Sequence, residues 1–205
     1  MPALDLDSYF ARVGYSGPKI ATLSTLQELH ALHPTAIVFE NLDVLLKRPI
    51  QLNVEALEQK LIHHRRGGYC YEQNTLFQAA LETIGFYVSS VGARVQWRYP
   101  KGSVRPLSHM VLRIRLPDAD YIADVGFGLL TLTAPLRLEA GIEQSTPHGA
   151  YRLVPAGDEI LLEAKTSDGW EAVYQISLHE QTPVDSGSRC NGFMKTEFGR
   201  LCQAL

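Results

Sequence analysis

A cysteine, a histidine and an aspartate stand in settings that packing alone does not call for. Cys70 follows Arg66-Gly67-Gly68-Tyr69 and precedes Tyr71-Glu72-Gln73-Asn74. Two glycines let the chain turn sharply, and they place the cysteine where unpaired backbone N–H groups and the positive end of a helix dipole stabilise a thiolate. That is a nucleophile's setting, although a lone cysteine at a helix start is as a rule a small buried hydrophobe. His109 opens an apolar run after a polar loop, and Asp124 interrupts the apolar segment Tyr121-Ile122-Ala123 just before Val125-Gly126-Phe127-Gly128. An inward carboxylate needs a partner. A histidine that gives one ring N–H to that carboxylate and offers its other nitrogen to the thiol satisfies both groups, and the trio would perform covalent acyl chemistry.

The elements that must position these residues are helices first and strands afterwards. Asp5 caps a segment whose apolar Leu6, Tyr9, Phe10 and Val13 fall at helical spacing, with Gly14 as its C-terminal cap. Ser24 and Gln27 have capping-box spacing ahead of Leu26, Leu29 and Leu32, with a stop near Pro34. Asn53 caps a third helix striped by Val54, Leu57 and Leu61 and ended by the glycine pair. Leu76, Phe77, Ala80, Leu81 and Ile84 make a fourth, closed by Gly85, so Cys70 lies in its first turn.

After Gly85 the period falls from 3.6 to 2. Val91, Ala93, Val95 and Trp97 alternate with smaller or polar residues, as do Met110, Leu112, Ile114 and Leu116, and further strands are predicted over 121–125, 151–154, 160–164 and 170–176. The fold class is α+β, an N-terminal helical bundle followed by an antiparallel sheet or barrel. If residues 117–120 form the loop, Leu116 faces Tyr121 and Arg113 stands opposite Asp124, four residues or roughly 13 Å from His109. Strand pairing therefore leaves two readings open: an Arg113–Asp124 pair, or a His109–Asp124 contact through a shorter loop, a bulge or a barrel.

Composition narrows the function. The chain of 205 residues fits one large domain or two small ones, and 45% hydrophobic with 20% charged residues is ordinary globular usage. With 19 Lys and Arg against 22 Asp and Glu the net charge is -3, and no basic run recommends nucleic acid. The start, Met1-Pro2-Ala3-Leu4-Asp5, lacks a signal-peptide pattern and no apolar stretch reaches membrane-span length, so a cytoplasmic protein without a membrane partner is expected. Cys70, Cys190 and Cys202 make no disulfide framework. Gly126-Phe127-Gly128 lacks the third glycine of a dinucleotide fingerprint, and His63-His64-Arg65 reads as a solvated helix end.

The motifs resemble those of the arylamine N-acetyltransferases: an Arg-Gly-Gly-x-Cys block, a histidine at a strand start, then Asp-Val-Gly-Phe-Gly, in this order. Val38-Phe39-Glu40-Asn41-Leu42 also resembles that family's Phe-Glu-Asn-Leu block, and the likeness runs to about Asp185. The resemblance implies Cys70 as acetyl carrier, His109 as base and Asp124 as orienter, in a cysteine-protease-like site. It places Phe39, Val95 and Phe127 at positions lining the acceptor pocket, although aromatic and branched residues on strands are more often plain core and the pocket reading leads for Phe127 alone, and it makes Glu40 with Arg66 a structural brace. It implies acetyl-CoA as co-substrate, a small aromatic amine, arylhydroxylamine or hydrazine as acceptor, and neither a permanent cofactor nor a metal. The implied layout is a helical domain over 1–85, a β-barrel over 86–185 and an α/β lid. Residues 186–205 would be the divergent or truncated start of that lid, which is otherwise largely absent. The alternative is an impaired or inactive member that only hydrolyses acetyl-CoA or binds ligand. A peptidase or transglutaminase-like reading finds no second motif. Arg98, Lys101 and Arg105 flank the loop before His109 and read either as CoA-phosphate contacts or as solvated cations.

Overall fold

In the computed structural model, which describes residues 4–100 and 102–180, helices occupy the chain as far as Ile84 and strands the remainder. Helix α1 (Leu6–Val13) starts where the Asp5 side chain accepts the N–H groups of Asp7 and Ser8, and it ends where Gly14 takes a left-handed φ of 78°. Helix α2 (Leu23–Ala36) differs from expectation at both ends. Thr22, which has extended backbone, is its cap and accepts the Thr25 N–H at 3.3 Å, so Ser24 falls inside the first turn. The helix also continues through Pro34, because a proline in the last turn deprives only the His30 carbonyl of its donor. Helix α3 (Leu42–Leu45) is a single turn. Asn53 caps α4 (Val54–Leu57) through Ala56 at 2.9 Å, and a π-helical turn, Glu58–His63, carries the stripe to Leu61. Helix α5 (Cys70–Ile84) buries Leu76, Phe77, Ala80 and Leu81.

The strands are β1 (Tyr87–Val95), β2 (His109–Arg115), β3 (Asp120–Ala123), β4 (Leu136–Arg137), β5 (Glu143–Thr146), β6 (Gly149–Ala156), β7 (Glu159–Thr166) and β8 (Gly169–Glu180). They form one antiparallel sheet in the order β4-β3-β2-β1-β8-β7-β6-β5. The edges β4 and β5 meet through a side chain. Gln144 accepts the Arg137 N–H at 2.8 Å and donates to the Arg137 carbonyl at 2.9 Å, a peptide-like pairing that nearly closes the sheet into a barrel. Neither edge strand was expected, since so few residues show no alternation, and Trp97 lies beyond the end of β1.

Strands β2 and β3 are buried from both sides. Met110, Leu112, Ile114, Tyr121 and Ala123 join the core around α5, whereas Val111 and Ile122 join the barrel core with Tyr174 and Ile176. His109 shares the Val111 face by the two-residue strand period. The β2–β3 register corrects the one read from the sequence: Arg115 pairs with Asp120 and Leu112 with Ala123. The loop is two residues shorter than expected, with Leu116 N–H on the Ala119 carbonyl at 3.0 Å, because Asp120 is held in the ladder by the guanidinium of Arg113. Carried one step on, this register sets Asp124 against Val111, two residues or roughly 7 Å from His109.

Two buried histidines of α2 make the fold acid-sensitive. His33 lies between the Tyr9 hydroxyl and the Gln73 amide oxygen, each at 2.9 Å. Burial lowers the pKa of His30 to about 3 and that of His33 to about 4. Unfolding frees both rings to titrate near 6.5, so the unfolded chain takes up protons that the folded chain refuses. Stability is complete above that value and falls by about 1.4 kcal/mol per pH unit per ring as the pH drops toward the folded values. Denaturant melts at pH 7 and pH 5 should differ by on the order of 3 to 4 kcal/mol, and replacing His33 with glutamine should roughly halve the difference. Equal stability at both values would rule out the neutral pair.

Candidate active site

The position of Cys70 is set by three backbone devices. Gly68 and Phe39 form a parallel bridge, with the Glu40 N–H on the Gly68 carbonyl at 3.0 Å. A Cβ on Gly67 would stand 2.2 Å from the Val38 carbonyl oxygen, so no other residue fits there. Tyr69 is the extended N-cap residue, its N–H held by the Glu72 carboxylate at 3.1 Å, and Cys70 is the first residue of α5, a buried thiol among the N–H groups that begin the helix. Gln73, one turn in, donates to the carbonyls of Ile37 at 3.1 Å and Val38 at 2.9 Å, tying the helix start to the bridge.

Behind this turn lies a charge cluster. Lys60 reaches Glu72 and Asp43, each at 2.7 Å, while Arg66 reaches Glu40 at 2.7 Å and Asp43 at 3.0 Å. Burial raises the Glu72 carboxyl against the pull of Lys60. Glu40 and Arg66 are thus in contact, but the Arg66 side chain is 35% exposed, so water screens the pair and cutting it costs less than the roughly 3 to 5 kcal/mol of a buried one.

His109 and Asp124 meet with Nε2 and Oδ2 2.7 Å apart, 3% and 0% exposed. The other carboxylate oxygen accepts Asn74 Nδ2 at 2.9 Å and the Gly126 N–H at 3.0 Å. Burial alone would raise the Asp124 carboxyl, but the His109 ring and these two donors outweigh it and lower the pKa. Arg113 is bound to Asp120, so the Arg113–Asp124 alternative is wrong. The turn after Asp124 lies directly on α5: a Cβ on Gly126 would be 2.9 Å from the Cys70 Cα. Asn74 stands four residues after Cys70 on the same helix and binds the carboxylate, the Met110 carbonyl and, through its oxygen, the Val125 N–H.

The other expected residues divide. Phe127 meets the His109 ring edge-on at 5.2 Å between centroids, and Tyr174 lies 5.1 Å from the same ring. Burial, then the Asp124 charge, raises the Tyr174 phenol well above its ordinary value. Phe39 is 37% exposed beside Gly128, and buried Val95 is the ladder partner of Tyr174. Arg105 stacks on Tyr99 at 3.7 Å and Arg98 is exposed, while Lys101 and residues 181–205, including the expected lid start, lie outside the described residues. Among the described residues, no group of three or more His, Cys, Asp or Glu side chains could hold a metal ion, and no helix is long and apolar enough to cross a membrane. Sequence reasoning missed Asn74, His30 and Tyr174 as site residues. Only Asn74 carried a signal, its position one helical turn beyond Cys70.

A family model described as N-acetyltransferase matches residues 22–196. The chain is 45% identical over 180 residues to an arylamine N-acetyltransferase of Escherichia coli (strain K12), covering 88% of this chain. It is 47% identical, over the same share, to an arylamine N-acetyltransferase / N-hydroxyarylamine O-acetyltransferase of Salmonella typhimurium. It spans 64% of the length of each of these two relatives. The solved Salmonella typhimurium arylamine N-acetyltransferase superposes with a TM-score of 0.92 at 42% identity, over 98% of this chain and 73% of that one. A Mycobacterium marinum arylamine N-acetyltransferase in complex with CoA gives a TM-score of 0.87 at 41% identity, over 90% of this chain and 69% of that one.

Proposed function

This chain belongs to the arylamine N-acetyltransferase family, and from that premise we propose that it moves an acetyl group from acetyl-CoA through Cys70 to the nitrogen of an aromatic amine or hydrazine. The observation that carries the reading is the buried His109–Asp124 pair, locked by Asn74 to the helix that begins at Cys70. With Nε2 of His109 committed to Asp124, Nδ1 is the nitrogen left for the thiol.

In the first half-reaction the Cys70 sulfur attacks the thioester carbonyl carbon, the carbon–sulfur bond to CoA breaks, and His109 delivers the proton with which CoA leaves as a thiol. N–H groups at the start of α5 are the donors available to the carbonyl oxygen as it becomes negative. In the second half-reaction the acceptor nitrogen attacks the acetyl-cysteine, His109 takes its proton and the Cys70 thiolate departs. An aromatic amine suits this step because its nitrogen is nucleophilic and unprotonated near neutrality, and because Phe127 and exposed Phe39 offer ring faces. The name of the Salmonella relative extends the proposal to O-acetylation of N-hydroxyarylamines.

The triad contributes geometry and proton transfer more than thiolate population. A thiol of pKa about 8.5 is only about 3% ionised at pH 7, so ion pairing gains roughly 30-fold in thiolate. A fall of about three units in pKa costs roughly 20-fold in nucleophilicity at a Brønsted slope near 0.45, and the two nearly cancel.

Intact-mass spectrometry after mixing with acetyl-CoA tests the reading: one acetyl adduct, mapped to Cys70 and discharged by an aryl amine, is expected. An unmodified chain overturns it. A second test addresses the contact between the Asp124 turn and α5. A methyl group on Gly126 would press on the Cys70 Cα at 2.9 Å and the Cys70 carbonyl oxygen at 3.1 Å, backbone atoms that cannot swing aside. Gly126→Ala should lower the acetylation rate by on the order of 10²-fold while the chain still unfolds cooperatively. Wild-type rates in that variant would mean that the turn does not rest on the helix.

A further inference from the structure

The Asp124 turn leaves its sheet at a point where backbone donors need new partners. The β2–β3 ladder ends at Leu112 and Ala123, and the next residue is wholly buried. The N–H groups of Asp124, Val125 and Gly126 are each taken by a side chain: His30 Nε2 at 3.1 Å, Asn74 Oδ1 at 3.0 Å and Asp124 Oδ1 at 3.0 Å. Two of these acceptors belong to the carboxylate and its amide clamp. The third comes from α2, far away in sequence.

We propose that His30 is a positioning residue for the triad: its Nε2 lone pair holds the Asp124 backbone N–H, so that the carboxylate is presented to His109 in one orientation. An amide N–H only donates, so Nε2 must be the bare nitrogen and the ring proton must sit on Nδ1. The setting keeps the ring neutral. His30 is 0% exposed, packs edge-on against Phe77 at 5.8 Å, and lies in the turn whose carbonyl is left without a helical donor by Pro34. Burial lowers its pKa to about 3, although the Asp124 charge favours the proton. A neutral His30 leaves the Asp124 charge to His109. A cationic ring in its place would compete for that charge and lose its grip on the N–H.

The inference rests on the triad reading, and its test separates the two. His30→Leu removes the acceptor with little change in volume, and His30→Gln restores an oxygen near the place of Nε2. The rate of Cys70 acetylation by acetyl-CoA should fall by ten- to a hundred-fold in the leucine variant, on the order of the loss that a misplaced catalytic group brings, with KM for acetyl-CoA little changed. The glutamine variant should recover to within about threefold of wild type. Equal losses in both, or none in the leucine variant, overturn the positioning role while leaving the Cys70 adduct of the wild-type protein intact. Should the leucine variant not fold, long-range ¹H–¹⁵N spectra of the wild-type protein decide. A proton on His30 Nδ1 with a bare Nε2 is required throughout the active pH range, and a protonated Nε2 overturns the proposal. Absence of any acetyl-cysteine in the wild-type protein would instead sink the triad reading itself.

Discussion

Cys70→Ser should form no acetyl adduct and transfer no acetyl group, with a loss on the order of 10⁴-fold or more. The hydroxyl would occupy the same first turn of α5, in reach of the same N–H groups, and the fold should be untouched because the thiol is a small buried group replaced by a smaller one. What changes is the chemistry. An alcohol is essentially un-ionised near neutrality, and acyl exchange from a thioester to an alcohol yields an ester that an aryl amine attacks far more slowly than a thioester. The measurement is intact mass with acetyl-CoA beside release of free CoA, in the presence and absence of amine. A serine protein that released CoA at the wild-type rate would place the acetyl group elsewhere.

The same turn shows what a linear sequence can and cannot convey. Asp5, Asn53, Gly14 and Gly85 announced helix ends because capping is settled within a few residues, and the stripe of α5 was visible because its partners repeat at one helical period. The short strands β4 and β5 were invisible. Their pairing depends on the Gln144 side chain reaching the Arg137 backbone, which no periodicity encodes. The rivalry of Arg113 and His109 for Asp124 turned on a loop read two residues too long, and the contact of Asp120 with Arg113 decides it. Asn74 was within reach of sequence reasoning, four residues from Cys70 on one face. His30 and Tyr174 were not, because each meets Asp124 or His109 only after α2 and β8 have packed around the strand end. Cys70, His109 and Asp124 were therefore legible as residue types, whereas the packing of His30 and Tyr174 around them was not.

Orientation is where the second large effect lies. Asp124→Asn should lower transfer by on the order of 10⁴-fold while leaving the melting temperature within a few degrees of wild type, and the reason is a tautomer. One carboxylate oxygen accepts from both Asn74 Nδ2 and the Gly126 N–H, so an asparagine must keep its amide oxygen there or leave two buried donors unpaired. Its NH₂ group then faces His109 Nε2, which at 2.7 Å in the wild-type protein is the donor to the other oxygen. Two donors cannot share that line. The ring must turn Nε2 into an acceptor and carry its proton on Nδ1, the nitrogen that receives the Cys70 proton in the proposed cycle. The fold survives because size and two of the three accepted bonds persist, whereas the base is lost. Asp124→Ala should behave differently, losing activity and stability together, since Asn74 and Gly126 would face an empty site. Acetylation rates and thermal melts of both variants separate these outcomes. An asparagine variant that turned over like wild type would show that His109 draws its orientation from elsewhere, and one that unfolded with the alanine variant would make Asp124 a structural group rather than the residue that orients the base.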